Sequence, residues 1–440
     1  MSVPSTNPPS AKPPRVDGFG ARQAALRMLD SVLRRGETLA AAASASRKLA
    51  PNDQALALAI AGETLRRLPD LDEWIDSATQ RPLPDDSKAR MVLRIALAQK
   101  IGLNTPDHAI VATALPQVEG GPRRLVHGVL GTLLRRPIPD LDPPLLPAAV
   151  EMRWAAQWGG EMVAAARRQI AVRPALDLSF ASDTEAKAFA AVTGGTSIAG
   201  KSVRVDSSNV AQLPGFADGK WWVQDLAASL PARLIPISAK SVVDLCAAPG
   251  GKTMQLAAAG HDVTAVDLLA ERLQRLRENL DRTGLRATAV VGDALLWRPA
   301  SPPAAILLDS PCSATGTFRR HPEVLYRARP SIIDQSAQLQ ARLLDRSASW
   351  LEPGGILVYA VCSLERAEGE DVIAAFLNRN PHFRIDPPRP GELPDFVPVA
   401  KDGWVRILPG LLDDQGGLDG FFIARLTRGA KELSAAAEQG

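Results

Sequence analysis

From residue 19 to 136, apolar residues recur every three or four positions, the period of helices that bury one face. ARQAALRMLDSVLRR groups Ala25, Met28, Leu29, Val32 and Leu33. PNDQALALAIAGETLRR follows, with Pro51 or Asn52 suited to its start and Leu58, Ala59, Gly62 and Leu65 expected inward. In SKARMVLRIALAQKIGL, Ser87 is placed to cap the first turn and Gly102 stands near the end. RRLVHGVLGTLLRR closes the stretch with arginines at both ends, and the Pro-rich PIPDLDPPLLP, 137–147, breaks the pattern. Residues 148–172 return to helical spacing and carry Trp154 and Trp158. LDLSF and KSVRVD alternate like strands, which predicts a small mixed α/β insert up to 235.

From 241 the pattern becomes apolar strand, loop, helix, repeated. SVVDL, DVTAVD, ATAVVGD, AAILLD and GGILVYAV are five short β-rich runs, and GFFIARL reads as a late strand. Helical stretches such as ERLQRLRENLDRTG lie between them, so a largely parallel sheet with helices on both faces is expected. The resulting division is a tail at 1–18, an all-helical domain at 19–140, linker helices and the insert at 141–235, an α/β domain at 236–430 and a tail at 431–440.

Composition narrows the class. Apolar residues make up 46% of the 440, enough for substantial cores. No apolar run reaches the roughly 18 residues of a membrane span, and the Pro- and Ser-rich start lacks the apolar stretch of a signal peptide. The three cysteines, Cys246, Cys312 and Cys362, form no CxxC pair, which fits a reducing, cytoplasmic setting and argues against a disulfide framework or zinc ribbon. No metal and no obligate protein partner is implied. The net charge is only +3, with 19 Lys+Arg against 15 Asp+Glu in residues 1–150 and near balance beyond. Nucleic-acid binding would therefore rest on local basic patches.

The chemistry gathers at the strand ends. Asp244, Asp267, Asp293 and Asp309 close four successive strands, and open parallel sheets bind ligands outside those ends. One such acid is an ordinary turn residue; four face one crevice. The first turn, DLCAAPGGKTMQLA, has Gly250 and Gly251 where backbone must approach a ligand, just before a helix N-terminus. It carries neither GxGxxG nor a phosphate loop, since Cys246 stands where that loop needs its first glycine. A carboxylate at Asp267 can accept both ribose hydroxyls, and Asp293 is placed to meet an adenine amino group. Nucleoside binding is the expectation, against a generic α/β fold with turn acids.

DLCAAPGGKT, PCSATG with the following RRHPE, YAVCS and the closing LPG…DGFFIARL resemble motifs of the Sun/Fmu group of bacterial small-subunit rRNA cytosine-5 methyltransferases. The likeness covers essentially the whole chain, with LVHGVLGTLLRR similar to the group's NusB-like RNA-binding domain. It implies a Rossmann-like α/β methyltransferase domain preceded by an all-α NusB-like domain, S-adenosylmethionine as cofactor and ribosomal RNA as partner. Carried over by position, Cys246, Ala247, Ala248, Pro249, Gly250, Gly251, Lys252, Asp267, Asp293 and Asp309 would line the cofactor pocket. Cys362 would be the nucleophile, Cys312 would assist product release, and Asp309 would contact the cytosine. Val361 stands where the group usually has Thr, the helical part has His127 in place of the usual Asn, and the group's Arg-Val-Asn-like segment is not evident in PALDLSF.

Carbon 5 of cytosine is a poor nucleophile until a thiolate adds to carbon 6, so this chemistry needs a thiolate and help in expelling it afterwards. Cys312 and Cys362 each follow a strand, and adjacent strands would bring both loops to one mouth. On chemical grounds either could attack, and a lone buried cysteine is usually just a small apolar residue, which is the reading for Cys246. Lys252 is a candidate cation to favour a thiolate. After Cys312, FRRHPEVLYRARP crowds Arg319, Arg320, Arg327 and Arg329, read as a phosphate-gripping loop against the blander solvated loop. Arg123, Arg124, Arg135 and Arg136 suggest RNA contacts on the helical domain. Competing readings are a methyltransferase for proteins or small molecules, one for another RNA such as tRNA, and an RNA-binding assembly factor with weak activity.

Overall fold

A computed structural model describes residues 17–207 and 209–429. The chain divides into two compact units, 1–145 and 146–440. The expected tails lie outside the described residues apart from Asp17 and Gly18.

The first unit is helical throughout its regular elements. Phe19–Arg35 buries Ala25, Met28, Leu29 and Val32, the face that the spacing predicts. Pro51–Arg66 begins with Pro51 inside its first turn, where a missing N–H costs nothing. Its inward face is Ala57, Ile60, Ala61, Thr64 and Leu65, whereas Leu58 is exposed. The expected face was therefore rotated, because small alanines and leucines spread around this helix and blur its apolar stripe. Ser87 caps Lys88–Gly102 by accepting from the Arg90 N–H. That helix is buried along most of its length and packs into a core with Leu71, Ile75, Ile110 and Leu130. On the last helix, Gly120–Leu133, Arg123 and Arg124 are exposed, as are Arg135 and Arg136 just beyond it.

The second unit opens with helices Ala148–Trp158 and Gly160–Ala171. A small antiparallel sheet follows, built from β1 (Leu176–Phe180), β2 (Thr196–Ala199), β3 (Ser202–Val205) and β4 (Trp221–Val223) in the order β2-β3-β1-β4. The large sheet contains β5 (Ser241–Leu245), β6 (Asp262–Asp267), β7 (Thr288–Val291), β8 (Ala305–Asp309) and β9 (Ile356–Val361), then β10 (Phe383–Ile385), β11 (Val405–Ile407) and β12 (Phe421–Arg428). Its order is β10-β12-β9-β8-β5-β6-β7, with β11 also paired to β12. From β9 to β7 all pairings are parallel; β12 runs antiparallel to its neighbours.

Strand alternation explains why both faces are covered. Val242, Ala305, Leu307, Val358 and Ala360 pack on one side against Leu226, Leu230 and Leu256. Val243, Ile306, Leu308, Leu357 and Tyr359 pack on the other against Leu343, Leu344, Ile373 and Phe376. Successive side chains point to opposite faces, so a strand buried on both reads as a continuous apolar run. Each fully buried Leu or Ile contributes about 1.5–3 kcal/mol. Among the described residues no helix is long and apolar enough to cross a membrane, and no group of three or more His, Cys, Asp or Glu is placed to hold a metal.

Candidate active site

The parallel pairing fixes the site. Asp244, Asp267 and Asp309 lie at the carboxyl ends of β5, β6 and β8, and Asp293 begins the loop after β7. The turn after β5 must double back sharply to start the helix Gly251–Ala258. Cys246 adopts φ 60° and Gly250 φ 107°, and a Cβ on Gly250 would stand 2.9 Å from Leu276. Only glycine suits that position. Asp267, almost fully buried, holds the turn: its carboxylate accepts from the Ala248 N–H at 3.2 Å and the Leu269 N–H at 3.1 Å, with Arg272 3.4 Å away. Asp293 accepts from the Leu295 N–H at 2.9 Å and so shapes the next loop.

Lys252 donates to Asp309 at 2.8 Å and lies over the Phe421 ring. Burial works against its charge, but Asp309, and more distantly Cys362 and Asp244, hold its pKa above the ordinary lysine value. Asp244 is fully buried. Burial, with Asp309 adding to it against the hydrogen bond from Thr253, pushes its carboxyl up to about 7. Its second oxygen and the Ser310 hydroxyl have no hydrogen-bond partner among the described residues. Two unmatched buried polar atoms, a tight glycine turn and a row of carboxylates at one sheet edge suit a nucleoside bearing amino and hydroxyl donors. Cys246 sits within that row, and burial followed by Asp309, Asp267 and Asp244 pushes its thiol up to about 12.

Because β8 and β9 are neighbours in register, Asp309 beside Ala360, their following loops lie side by side. The Gly316 N–H donates to the Cys362 carbonyl at 3.0 Å, and the Gly420 N–H to the Gly316 carbonyl at 2.8 Å. A Cβ on Gly316 would fall 2.0 Å from the Gly420 carbonyl oxygen, so a side chain there would force the loops apart. The outcome is a Cys312 Sγ to Cys362 Sγ separation of 3.5 Å. The hydrogen bond to Cys362, burial, and the negative charges of Cys362 and Glu368 hold the Cys312 thiol well above its ordinary range.

The arginine loop is a correction. Arg319 is buried, bound to Asp419 at 2.9 Å, to Asp225 at 3.2 Å and to the Gly416 carbonyl at 2.6 Å. Arg320 binds Asp225 at 2.8 Å and the Ala175 carbonyl at 3.2 Å. Arg319 is thereby shut away from solvent, which takes it out of a phosphate grip, while Arg320 is tied to the same acid and keeps 23% of its side chain exposed. Crowding beside the Cys312 motif makes these arginines read as an RNA grip, while the acids that claim Arg319 lie 94 and 100 residues away along the chain. Arg329 is exposed just before the helix Pro330–Ala348, and Arg327 is half-buried. Sequence reasoning also missed Glu368. The acids of SLERAEGED look like a solvated run, yet Glu365, Glu368 and Glu370 are all buried.

The fold is that of a Rossmann-like methyltransferase, a doubly covered parallel sheet with carboxylates and two thiols at its carboxyl edge. Residues 232–427 match the family model described as 16S rRNA methyltransferase RsmB/F, and residues 20–135 match the NusB family. The chain belongs to the 16S rRNA methyltransferase RsmB/F family. It is 35% identical over 435 residues to ribosomal RNA small subunit methyltransferase B of Xanthomonas campestris pv. campestris, covering 93% of this chain and 98% of that one. It is 33% identical over 443 residues to the protein of the same name from Pseudomonas putida, covering 92% and 98%. A solved methyltransferase homolog protein from Pyrococcus horikoshii is similar at 27% identity and TM-score 0.53, covering 63% of this chain and 93% of that one.

Proposed function

We propose that this chain methylates carbon 5 of a cytosine in small-subunit rRNA through a covalent bond between Cys362 and carbon 6. The observation that carries the reading is the pair of thiols 3.5 Å apart beside the Lys252–Asp309 ion pair. Methylating an oxygen, or the nitrogen of a protein or small molecule, calls for no thiolate and would leave this pair without a purpose.

Residues 246–252 with Asp267 and Asp293 would hold S-adenosylmethionine, which would supply an electrophilic methyl group. The Cys362 thiolate, near the Lys252 cation, adds to carbon 6, and the ring's electron density moves to carbon 5. Carbon 5 would take the methyl group as the methyl–sulfur bond breaks and its electron pair returns to sulfur, leaving a neutral thioether, while Asp309 holds the amino and ring-nitrogen edge. The proton on carbon 5 must then leave so that the Cys362–carbon 6 bond can break. Bonding to carbon 6 removes the charge on Cys362, and with it both the hydrogen-bond acceptor and the nearby negative charge that hold the Cys312 proton in place. Cys312 therefore becomes easier to ionise at the step where a base is required. The test is the covalent adduct itself, trapped with labelled rRNA on a denaturing gel, together with mapping of 5-methylcytosine in rRNA from cells with and without the protein.

Two further outcomes are expected. Asp267→Ala should weaken S-adenosylmethionine binding without RNA by about 1–3 kcal/mol, because ribose hydroxyls lose their acceptor and the Ala248 turn loses its anchor. Isothermal calorimetry measures it, and unchanged affinity would remove Asp267 from the cofactor site. Residues 19–136 should bind RNA through exposed Arg123, Arg124, Arg135 and Arg136, with affinity falling steeply as salt rises through counterion release. Exposed Arg329, after the Cys312 loop, is a further candidate contact. Replacing Arg123 and Arg124 by Ala should flatten the salt slope by roughly 1–2; an unaltered slope in a filter-binding titration would place the contacts elsewhere.

A further inference from the structure

Glu368 lies six residues beyond Cys362, fully buried, and the mechanism above makes no use of it. Its carboxylate is shared by both cysteine loops. One oxygen accepts from the Ser313 N–H at 2.7 Å and from Gln340 Nε2 at 3.3 Å. The other accepts from the hydroxyls of Ser313 and Ser363. Ser313 immediately follows Cys312, and Ser363 immediately follows Cys362. The two hydroxyls are 3.3 Å apart, and Gln340 also donates to the Pro311 carbonyl at 2.9 Å, on the other side of Cys312. Glu368 is itself fixed, since Tyr359 donates to its carbonyl at 2.6 Å.

A buried carboxylate is costly unless its lone pairs are matched, and here every donor that satisfies it comes from the two loops or from the helix packed beneath them. Burial raises the Glu368 carboxyl above its ordinary value while the serine donors pull it down, so much of its stability as an anion depends on the loops staying together. We propose that Glu368 is a positioning residue that staples the Cys312 loop to the Cys362 loop and sets the separation of the two sulfurs. The proposal rests on the two-thiol reading for its consequence in catalysis, but not for its geometry.

The geometry has a direct readout. Diamide takes two electrons and two protons from a pair of thiols, giving a disulfide and the reduced hydrazine, and the rate depends on how closely the sulfurs are held. The whole protein is treated with diamide, and the Cys312–Cys362 linkage is followed by peptide mass. In parallel, kcat and KM are measured on rRNA. Glu368→Ala should slow the linkage and lower kcat on the order of 100-fold, as expected when reacting groups lose about 1 Å of alignment, with KM for S-adenosylmethionine unchanged. Glu368→Gln keeps an acceptor for the Ser313 N–H and can donate to hydroxyls that rotate, so it should restore the linkage rate and most of kcat. A purely structural role predicts no such rescue and a loss of cofactor binding alongside.

Wild-type linkage and kcat in Glu368→Ala overturn the proposal. If that variant fails to bind cofactor, Ser313→Ala with Ser363→Ala removes the hydroxyl donors and leaves the carboxylate; slowed linkage there supports the staple and an unchanged rate overturns it. Slowed linkage in the variants, with no RNA adduct from the wild type, overturns the carbon 5 reading and leaves the staple standing.

Discussion

Cys362→Ala is expected to yield a folded, cofactor-binding protein that forms no covalent complex with RNA and no product. Cys312→Ala is expected to accumulate a covalent complex carrying the methyl group. The difference arises because addition to carbon 6 precedes every other bond change, whereas deprotonation of carbon 5 comes last. Without Cys362 the ring is never activated. Without Cys312 the ring is activated and methylated, but the proton on carbon 5 has no nearby base, so the enzyme stalls with RNA attached. Position after a strand leaves the roles interchangeable on chemical grounds, and the family resemblance is what gives the attack to Cys362. The surroundings differ in charge: Glu368 acts on Cys312, while Lys252 lies within electrostatic reach of Cys362. A denaturing gel with labelled RNA and S-adenosylmethionine reads both variants at once. An adduct in Cys362→Ala and none in Cys312→Ala would reverse the assignment.

What the sequence made legible was what repeats locally. Strands buried on both faces read as apolar runs, so the ends of β5, β6, β8 and β9 could be placed within a residue or two, and the carboxylates and thiols with them. Helix starts were equally readable, at Ser87 from its capping side chain and at Pro51 from its fit to the first turn, where local geometry decides the outcome. The inward face of Pro51–Arg66 was not, because alanine packs inside or outside at little cost. The larger gap concerns partners far apart in the chain. Glu368 looks like a surface acid until Ser313 and Gln340 are brought to it, 55 and 28 residues away. Arg319 looks like a phosphate ligand until Asp225 and Asp419 enclose it. Charge runs in a sequence carry no mark of whether the fold will pair them.

That enclosure leads to the largest expected change in stability. Arg319→Ala should destabilise the second unit by about 3–5 kcal/mol, the loss typical of breaking a buried ion pair from one side. Asp225 and Asp419 are both buried, and each depends on Arg319 and Arg320 together. Asp225 also caps the helix Leu226–Arg233 by accepting from the Ala227 N–H at 2.9 Å. Removing Arg319 leaves two carboxylates with one guanidinium and frees the Gly416 carbonyl it held. The affected elements are the loop after Cys312, the turn into β12 and the start of the helix after β4, so the damage reaches the thiols without touching them. Against a total stability of about 5–15 kcal/mol, this is enough to lower the midpoint of denaturant unfolding sharply. Arg319→Lys should recover little, because an ammonium cannot reproduce the guanidinium's several directed donors. Urea unfolding of the three proteins measures the effect. A midpoint for Arg319→Ala within error of the wild type would mean that Arg319 is not needed to hold these elements together, and would return it to the list of candidate RNA contacts.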